Sequence, residues 1–138
     1  MPTQAVSWVV IVAGMTAALH VGKLPPALPV LGESLGITLV QAGFLLSLVQ
    51  LAGMSLGVLV GLSADGFGLR RSMIMGLGLL TLASALGASA DSAQGLMTWR
   101  ALEGLGFLLT VMPAPGLIRR HTPPDRLAGR LGWWGSYM

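Results

Sequence analysis

Long apolar runs separated by short polar stretches divide the chain into segments long enough to be membrane helices. The pattern predicts spans at about residues 6–31, 39–62, 72–90 and 95–118, and a fifth that begins near residue 130. An α-helix rises 1.5 Å per residue, so about 20 apolar residues cross the hydrocarbon of a bilayer. We therefore expect an all-α membrane protein with four transmembrane helices and the start of a fifth, which the chain leaves incomplete.

The first span contains prolines and a lysine in its second half. Pro25, Pro26 and Pro29 have no backbone N–H, and we expect them to bend or end the helix. The polar residues 32–38 then predict a connection to the second span. A signal peptide is a different interpretation of this region, but it needs a basic segment near its start, and no Lys or Arg precedes Lys23.

Three polar side chains inside the first two predicted spans are candidates for the lining of a cavity. His20 and Lys23 are three residues apart and share one helix face. Either Lys23 extends toward the lipid headgroups, or this face lines a polar cavity. Gln50, near the middle of the second span, requires a hydrogen-bond partner from a neighbouring helix or from a solute in that cavity.

Glycines recur at every fourth position in the second half of the second span, at Gly53, Gly57 and Gly61. Residues four apart lie on one helix face, and a stripe of small residues lets another helix approach closely. The stripe predicts helix packing, either within the chain or in a homodimer.

The composition indicates whether the chain resides in water or in a lipid bilayer. The chain of 138 residues is 54% hydrophobic and 9% charged, with a mean hydropathy of +0.78. A soluble domain has about a quarter charged residues, so a lipid bilayer is the environment that this chain fits. The net charge of +3 comes from a few residues between apolar runs, without the basic stripe of a nucleic-acid-binding protein.

The residue inventory also excludes classes of chemistry. The chain has no cysteine and its two histidines are far apart, so we expect no disulfide, metal site or cofactor. No Ser-His-Asp or paired-carboxylate arrangement indicates an enzyme.

The arginines predict the orientation in the membrane. They follow the second and fourth spans, whereas the connections on the other side contain no Lys or Arg. Cytoplasmic loops are enriched in basic residues, so we expect a cytoplasmic N-terminus in a multi-pass protein of the cell membrane. The arginines that carry this prediction are Arg70, Arg71, Arg119, Arg120, Arg126 and Arg130.

Residues 61–71, between the second and third spans, combine glycines, a carboxylate and two arginines, and we expect them to form a tight reversal. The segment resembles the signature loop of the major facilitator superfamily. Gly66 and Leu69 stand where that family commonly has a basic residue. The matching positions are Gly61, Asp65, Gly68 and Arg70, with Arg71 one place beyond.

The fourth span contains a second motif, in which Arg100 and Glu103 are one helical turn apart, followed by Gly104 and Gly106. Exposing a charge to lipid costs at least about 2.5–3.5 kcal/mol, so both charged side chains should face protein or water. This string resembles the fourth-helix motif of the same superfamily. The first helix and the loop after the fourth also weakly resemble the cyanate and nitroimidazole permease branch.

The resemblance implies a secondary transporter with twelve helices in two halves, of which this chain supplies part of the N-terminal half. It implies alternating access for a small solute, with ion or proton coupling. It further implies that Asp65 and the nearby arginines hold an inner gate shut. Arg100 would bind an anionic solute or take part in coupling, with Glu103 as a proton carrier. The alternative is that Arg100 and Glu103 neutralise each other and only brace the helix.

A different class of protein also fits four spans. A small four-helix membrane protein could act as a homo-oligomeric exporter or as a structural subunit. Small multidrug exporters resemble one another in having a Glu in the first helix, where this chain has His20 and Lys23.

Overall fold

A computed structural model describes the backbone of residues 2–136 and the side chains of residues 5–136 other than 53, 60 and 63–65. Gly53 and Asp65 lie outside the residues described at this level. The described backbone contains α-helices and no strand, which confirms the predicted all-α class. The helices in chain order are α1 (Pro2–Gly22), α2 (Leu24–Leu35), α3 (Leu39–Phe67), α4 (Leu69–Gly87), α5 (Ala93–Val111), α6 (Ala114–Arg120) and α7 (Pro124–Ser136).

Four stretches of the described chain are long and apolar enough to cross a membrane. The first and fourth each combine two helices, α1 with α2 and α5 with α6. The outward faces carry large apolar side chains, and Leu39, Met54 and Val58 are each at least 75% exposed. Such surfaces fit lipid rather than water. The stretches are Ala5–Leu35, Leu39–Leu59, Leu69–Gly87 and Ala93–Arg120.

The first span continues through its prolines. Pro25 and Pro26 occupy the first turn of α2, where proline is well tolerated. The helix ends at Gly36, which adopts a left-handed conformation with φ of 62°. The predicted connection 32–38 is therefore too long, because the helix runs through residue 35.

The reversal expected at residues 61–71 is a single-residue break. Helix α3 extends to Phe67, α4 begins at Leu69, and Gly68 between them has a φ of 89°. Gly61 is therefore inside α3, whereas Arg70 and Arg71 lie in the first turn of α4. The expected loop is corrected to one residue, because only Gly68 adopts a conformation that interrupts helical hydrogen bonding.

Helix α7 begins at residue 124, earlier than the expected start near residue 130, and it lies against α1. The buried Trp134 ring contacts Gly14 of α1. The guanidinium of Arg130 lies 3.9 Å from the centre of the Trp8 ring, a cation–π arrangement. A cation–π contact and a ring packed on a glycine therefore hold α7 against α1.

Helices α4 and α5 approach most closely at two glycines. A Cβ atom placed on Gly106 would lie 2.7 Å from the backbone nitrogen of Leu80, and one on Gly76 would lie 2.6 Å from that of Thr110. Neither position has room for a side chain. Small residues at such crossings let helix backbones pack directly in the membrane. This crossing places the motif residues of α5 against α4.

Candidate functional site

A cluster of three charged side chains lies within the membrane-spanning part of the chain. The two carboxylate oxygens of Glu103 contact different cations, with Oε2 2.5 Å from Arg100 Nη1 and Oε1 2.5 Å from Lys23 Nζ. Arg100 and Glu103 are 3% and 4% exposed. Both therefore face protein, and one carboxylate joins α5 to the junction of α1 and α2.

Arg100 also donates hydrogen bonds to the backbone of two other helices. Its Nη1 lies 2.7 Å from the carbonyl oxygen of His20, and its Nη2 lies 3.3 Å from that of Val21. In an α-helix the carbonyl of Val21 would accept from residue 25, but Pro25 has no N–H. A weaker contact of 3.4 Å joins Arg100 Nε to the carbonyl of Leu45 in α3. The guanidinium thus connects α5 with α1 and α3.

Lys23 lies between α1 and α2 and reaches two other helices. Its Nζ donates to Ser84 Oγ of α4 at 2.5 Å, in addition to its ion pair with Glu103. The side chain is 41% exposed. Of the two orientations that the sequence left open, the structure shows Lys23 directed at these polar groups in the wall of a cavity.

This cavity, the Lys23 cavity, has a volume of about 560 Å³ and lies between α2, α4 and α5. The charged cluster forms one part of its wall, and most other lining residues are apolar. It is lined by Lys23, Leu24, Ala27, Leu31, Ser34, Leu35, Ser84, Gly87, Ala88, Ala90, Leu96, Trp99, Arg100 and Glu103.

His20 and Gln50 do not line the Lys23 cavity. The carbonyl of His20 accepts from Arg100, while its buried ring nitrogen Nδ1 has no hydrogen-bond partner among the described residues. Gln50 lies on an exposed face of α3. The structure therefore brings Lys23, Arg100 and Glu103 together, with His20 contributing its backbone and Gln50 outside the cluster.

The arginines of the segment 61–71 lie at the end of the helices opposite to the Lys23 cavity. Arg70 and Arg71 line a second cavity, of about 380 Å³, together with Arg120 and His121 from the end of α6 and the turn after it. The segments that follow the second and fourth spans thus meet at one end of the molecule.

Comparison with known proteins decides the family. Residues 6–138 match the profile of the family described as Major Facilitator Superfamily. The chain belongs to the major facilitator superfamily. Over 92 residues it is 38% identical to "Multidrug resistance protein MdtH" of Proteus mirabilis, an alignment that covers 67% of this chain and 23% of that protein. The chain therefore spans less than a quarter of this relative's length. No solved structure matches it.

The glycines of the major facilitator motif in α5 face two different helices. A Cβ on Gly104 would lie 3.1 Å from Val49 Cα in α3, whereas Gly106 meets α4. In the glycine stripe of α3, Gly57 lies near the end of α5, where a Cβ would be 3.2 Å from Met112 Cε. At Gly61 a Cβ would meet no described atom within 4 Å, so this position makes no close helix contact.

Sequence reasoning missed three residues of α4 in this major facilitator that the structure brings into contact with α5 or with Lys23. Ser84 accepts from Lys23, Gly76 meets α5, and Ser72 Oγ donates to the carbonyl of Leu109 at 3.3 Å. A signal was present in the sequence of α4, where small or apolar residues recur every three to four positions at Gly76, Leu80, Ala83 and Gly87. That period marks the face turned toward α5.

The described part of the chain contains no group of three or more His, Cys, Asp or Glu side chains that could hold a metal ion. The site itself is ionic: one buried carboxylate is shared by two cations beside a cavity.

Proposed function

We propose that this chain forms part of the N-terminal half of a secondary transporter, which moves a small solute across the cell membrane by alternating access. Membership of the superfamily supports this proposal. The observation that carries it is the position of Glu103, which lies between Lys23 and Arg100 within the membrane span. Ionisable groups at this depth are costly and occur mostly on solute or ion pathways.

The cluster also suggests how an ion could be coupled to movement. Glu103 is the shared counter-ion of two cations, so protonating it would leave Lys23 and Arg100 as neighbouring like charges. Arg100 would stay bound to the backbone carbonyls of His20 and Val21. Lys23 would lose an ionic contact and keep its bond to Ser84. We therefore propose that proton binding at Glu103 loosens the junction of α1 and α2 from α5.

The opposite end of the molecule is the proposed inner gate. We place the N-terminus in the cytoplasm, because the arginines after the second and fourth spans lie together and such residues favour the cytoplasmic side. Asp65 belongs to the proposed gate with Arg70 and Arg71. In the full-length transporter, Asp65→Asn should reduce transport and leave membrane insertion unchanged, and wild-type rates would contradict the gating role.

Membership of the superfamily gives no support to the alternative of a four-helix homo-oligomer. The resemblance to the cyanate and nitroimidazole permease branch stays a prediction, since the curated relative is named for multidrug resistance.

The proposal is tested by transport in proteoliposomes that contain the full-length transporter, with an imposed pH gradient and two probes, ethidium and benzoate. We expect flux of at least one probe that follows the gradient, and its loss in Glu103→Gln. The matched control is Asp125→Asn, because Asp125 is an exposed acid outside the cluster. Flux in Glu103→Gln equal to wild type would contradict the carrier role and favour simple bracing. Absence of pH-driven flux of both probes would contradict the transport proposal.

A further inference from the structure

Lys23, and not the motif residue Arg100, is the cation available to a ligand in the Lys23 cavity. Arg100 is 3% exposed, and its guanidinium donates to Glu103 and to backbone carbonyls on two helices. A ligand would have to break these contacts to bind it. Binding of an anion by Arg100 is therefore unfavourable in this conformation.

Lys23 has donor capacity left. An ammonium group has three N–H donors, and Ser84 Oγ and Glu103 Oε1 accept two of them. No described residue accepts the third, and the side chain is 41% exposed in the cavity wall. Two cations and one carboxylate line the cavity, which leaves a formal charge of +1. In surroundings of low dielectric constant, that charge attracts an anion strongly.

The apolar lining of the Lys23 cavity indicates which uncharged groups a ligand could have. Most of the wall is formed by apolar side chains, including Leu24, Leu31, Leu96 and the indole of Trp99. A flat aromatic ring packs well against another aromatic face. The volume of about 560 Å³ lies within the usual size of small-molecule sites. The wall therefore fits a ligand with one negative group and a compact apolar body.

The position of Lys23 along the first span favours a solute over a phospholipid headgroup as this ligand. Lys23 lies twelve residues before Leu35, where the first span ends. At 1.5 Å per residue this separation is about 18 Å along the helix. Headgroups lie outside the hydrocarbon region, so we expect the anion at Lys23 to be a solute inside the protein.

We propose that the Lys23 cavity binds a small monocarboxylate with an aromatic or other compact apolar body. Its carboxylate accepts from Lys23 Nζ, and its body lies against Leu31 and Trp99. The assignment of this ligand as the transported solute rests on the proposed transport function. Binding itself does not, because the described residues of this chain form the cavity.

The first test measures binding of radiolabelled benzoate by equilibrium dialysis to the full-length transporter in lipid nanodiscs, with benzyl alcohol as the uncharged analogue. We expect saturable benzoate binding and at least about tenfold weaker binding in Lys23→Gln, because a hydrogen bond to a charged group is lost. Benzyl alcohol should bind more weakly than benzoate and be insensitive to this change. Equal benzoate affinity in Lys23→Gln and wild type would overturn the proposal, as would equal affinity for both probes.

A second pair of variants tests the cavity without altering a charge. Ala27→Phe should fill the cavity and abolish benzoate binding, whereas Val30→Phe changes an exposed residue of the same helix outside the lining and should bind as wild type. Should Lys23→Gln fail to fold, this pair decides: unchanged binding in Ala27→Phe would reject the site.

Benzoate binding without transport would contradict only the transport proposal, and pH-driven ethidium flux without benzoate binding would contradict only this inference.

Discussion

Arg100 donates a hydrogen bond to the carbonyl oxygen of Val21, the acceptor that Pro25 leaves without its helical donor. The same relationship recurs in the fourth span. Pro113 cannot donate to the carbonyl of Leu109, and Ser72 Oγ of α4 donates to it instead. In lipid no water can satisfy such groups, so the proline breaks are stabilised by side chains of neighbouring helices. Arg100 thus donates hydrogen bonds both to a backbone carbonyl and to a carboxylate.

Arg100→Ala should destabilise the protein, because it removes one partner of a buried ion pair and leaves the carbonyl of Val21 without its donor. We expect a loss of about 3 kcal/mol in the free energy of unfolding, measured by denaturant titration in detergent micelles. Arg119→Ala is the matched control, since Arg119 is exposed at the end of α6 and its removal should change stability by less than about 0.5 kcal/mol. Similar losses in the two variants would contradict the structural role of Arg100.

Gly106→Ala should separate α4 from α5. The new Cβ would lie 2.7 Å from the backbone nitrogen of Leu80, which cannot rotate away. Overpacking of this kind costs about 1–3 kcal/mol, detectable as a lower midpoint of thermal unfolding.

The control for the helix crossing is Gly78→Ala in α4, where a Cβ would meet no described atom within 4 Å. That variant should retain or raise the midpoint, because alanine favours helix more than glycine does. A midpoint in Gly106→Ala equal to that in Gly78→Ala would show that the two backbones are not in contact.

Gly68→Ala should strain the break between α3 and α4. The φ of 89° at Gly68 is one that residues with a Cβ rarely adopt, and the strain should cost about 2 kcal/mol of unfolding free energy. Gly66→Ala, two residues earlier and inside helix α3, should be neutral or slightly stabilising. Equal stabilities of the two variants in the same denaturant titration would contradict the single-residue break.

Single-cysteine labelling tests the orientation, and these 138 residues contain no native cysteine. Phe67→Cys and Pro123→Cys lie after the second and fourth spans, while Ser89→Cys lies in the connection after the third, and all three positions are exposed. A membrane-impermeant maleimide added to intact cells should label Ser89→Cys and not the other two. Labelling of Phe67→Cys and Pro123→Cys from opposite sides would contradict the prediction that the segments after the second and fourth spans lie on the same side of the membrane.

The sequence determined the solvent and the number of membrane helices. With 54% hydrophobic and 9% charged residues, the chain cannot cover a water-soluble globule, and a helix in lipid must satisfy its own backbone. The segment 61–71 and the string that contains Arg100 and Glu103 together resembled two motifs of the superfamily, and the cost of charge in lipid predicted that Arg100 and Glu103 turn inward. These features depend on local composition and on one helix at a time.

Only the tertiary structure decided which partners these residues have. Glu103 meets Lys23 across 80 residues of sequence, and Lys23 meets Ser84 across 61. Helical periodicity places a side chain on a face but does not say which helix covers that face. The helix ends near Leu35 and Phe67 were likewise misjudged, because polar and glycine residues stay helical until one residue, Gly36 or Gly68, adopts a positive φ. Long-range packing therefore directs Arg100, which the motif names, at Glu103 and backbone carbonyls, and places Lys23 in the wall of the cavity.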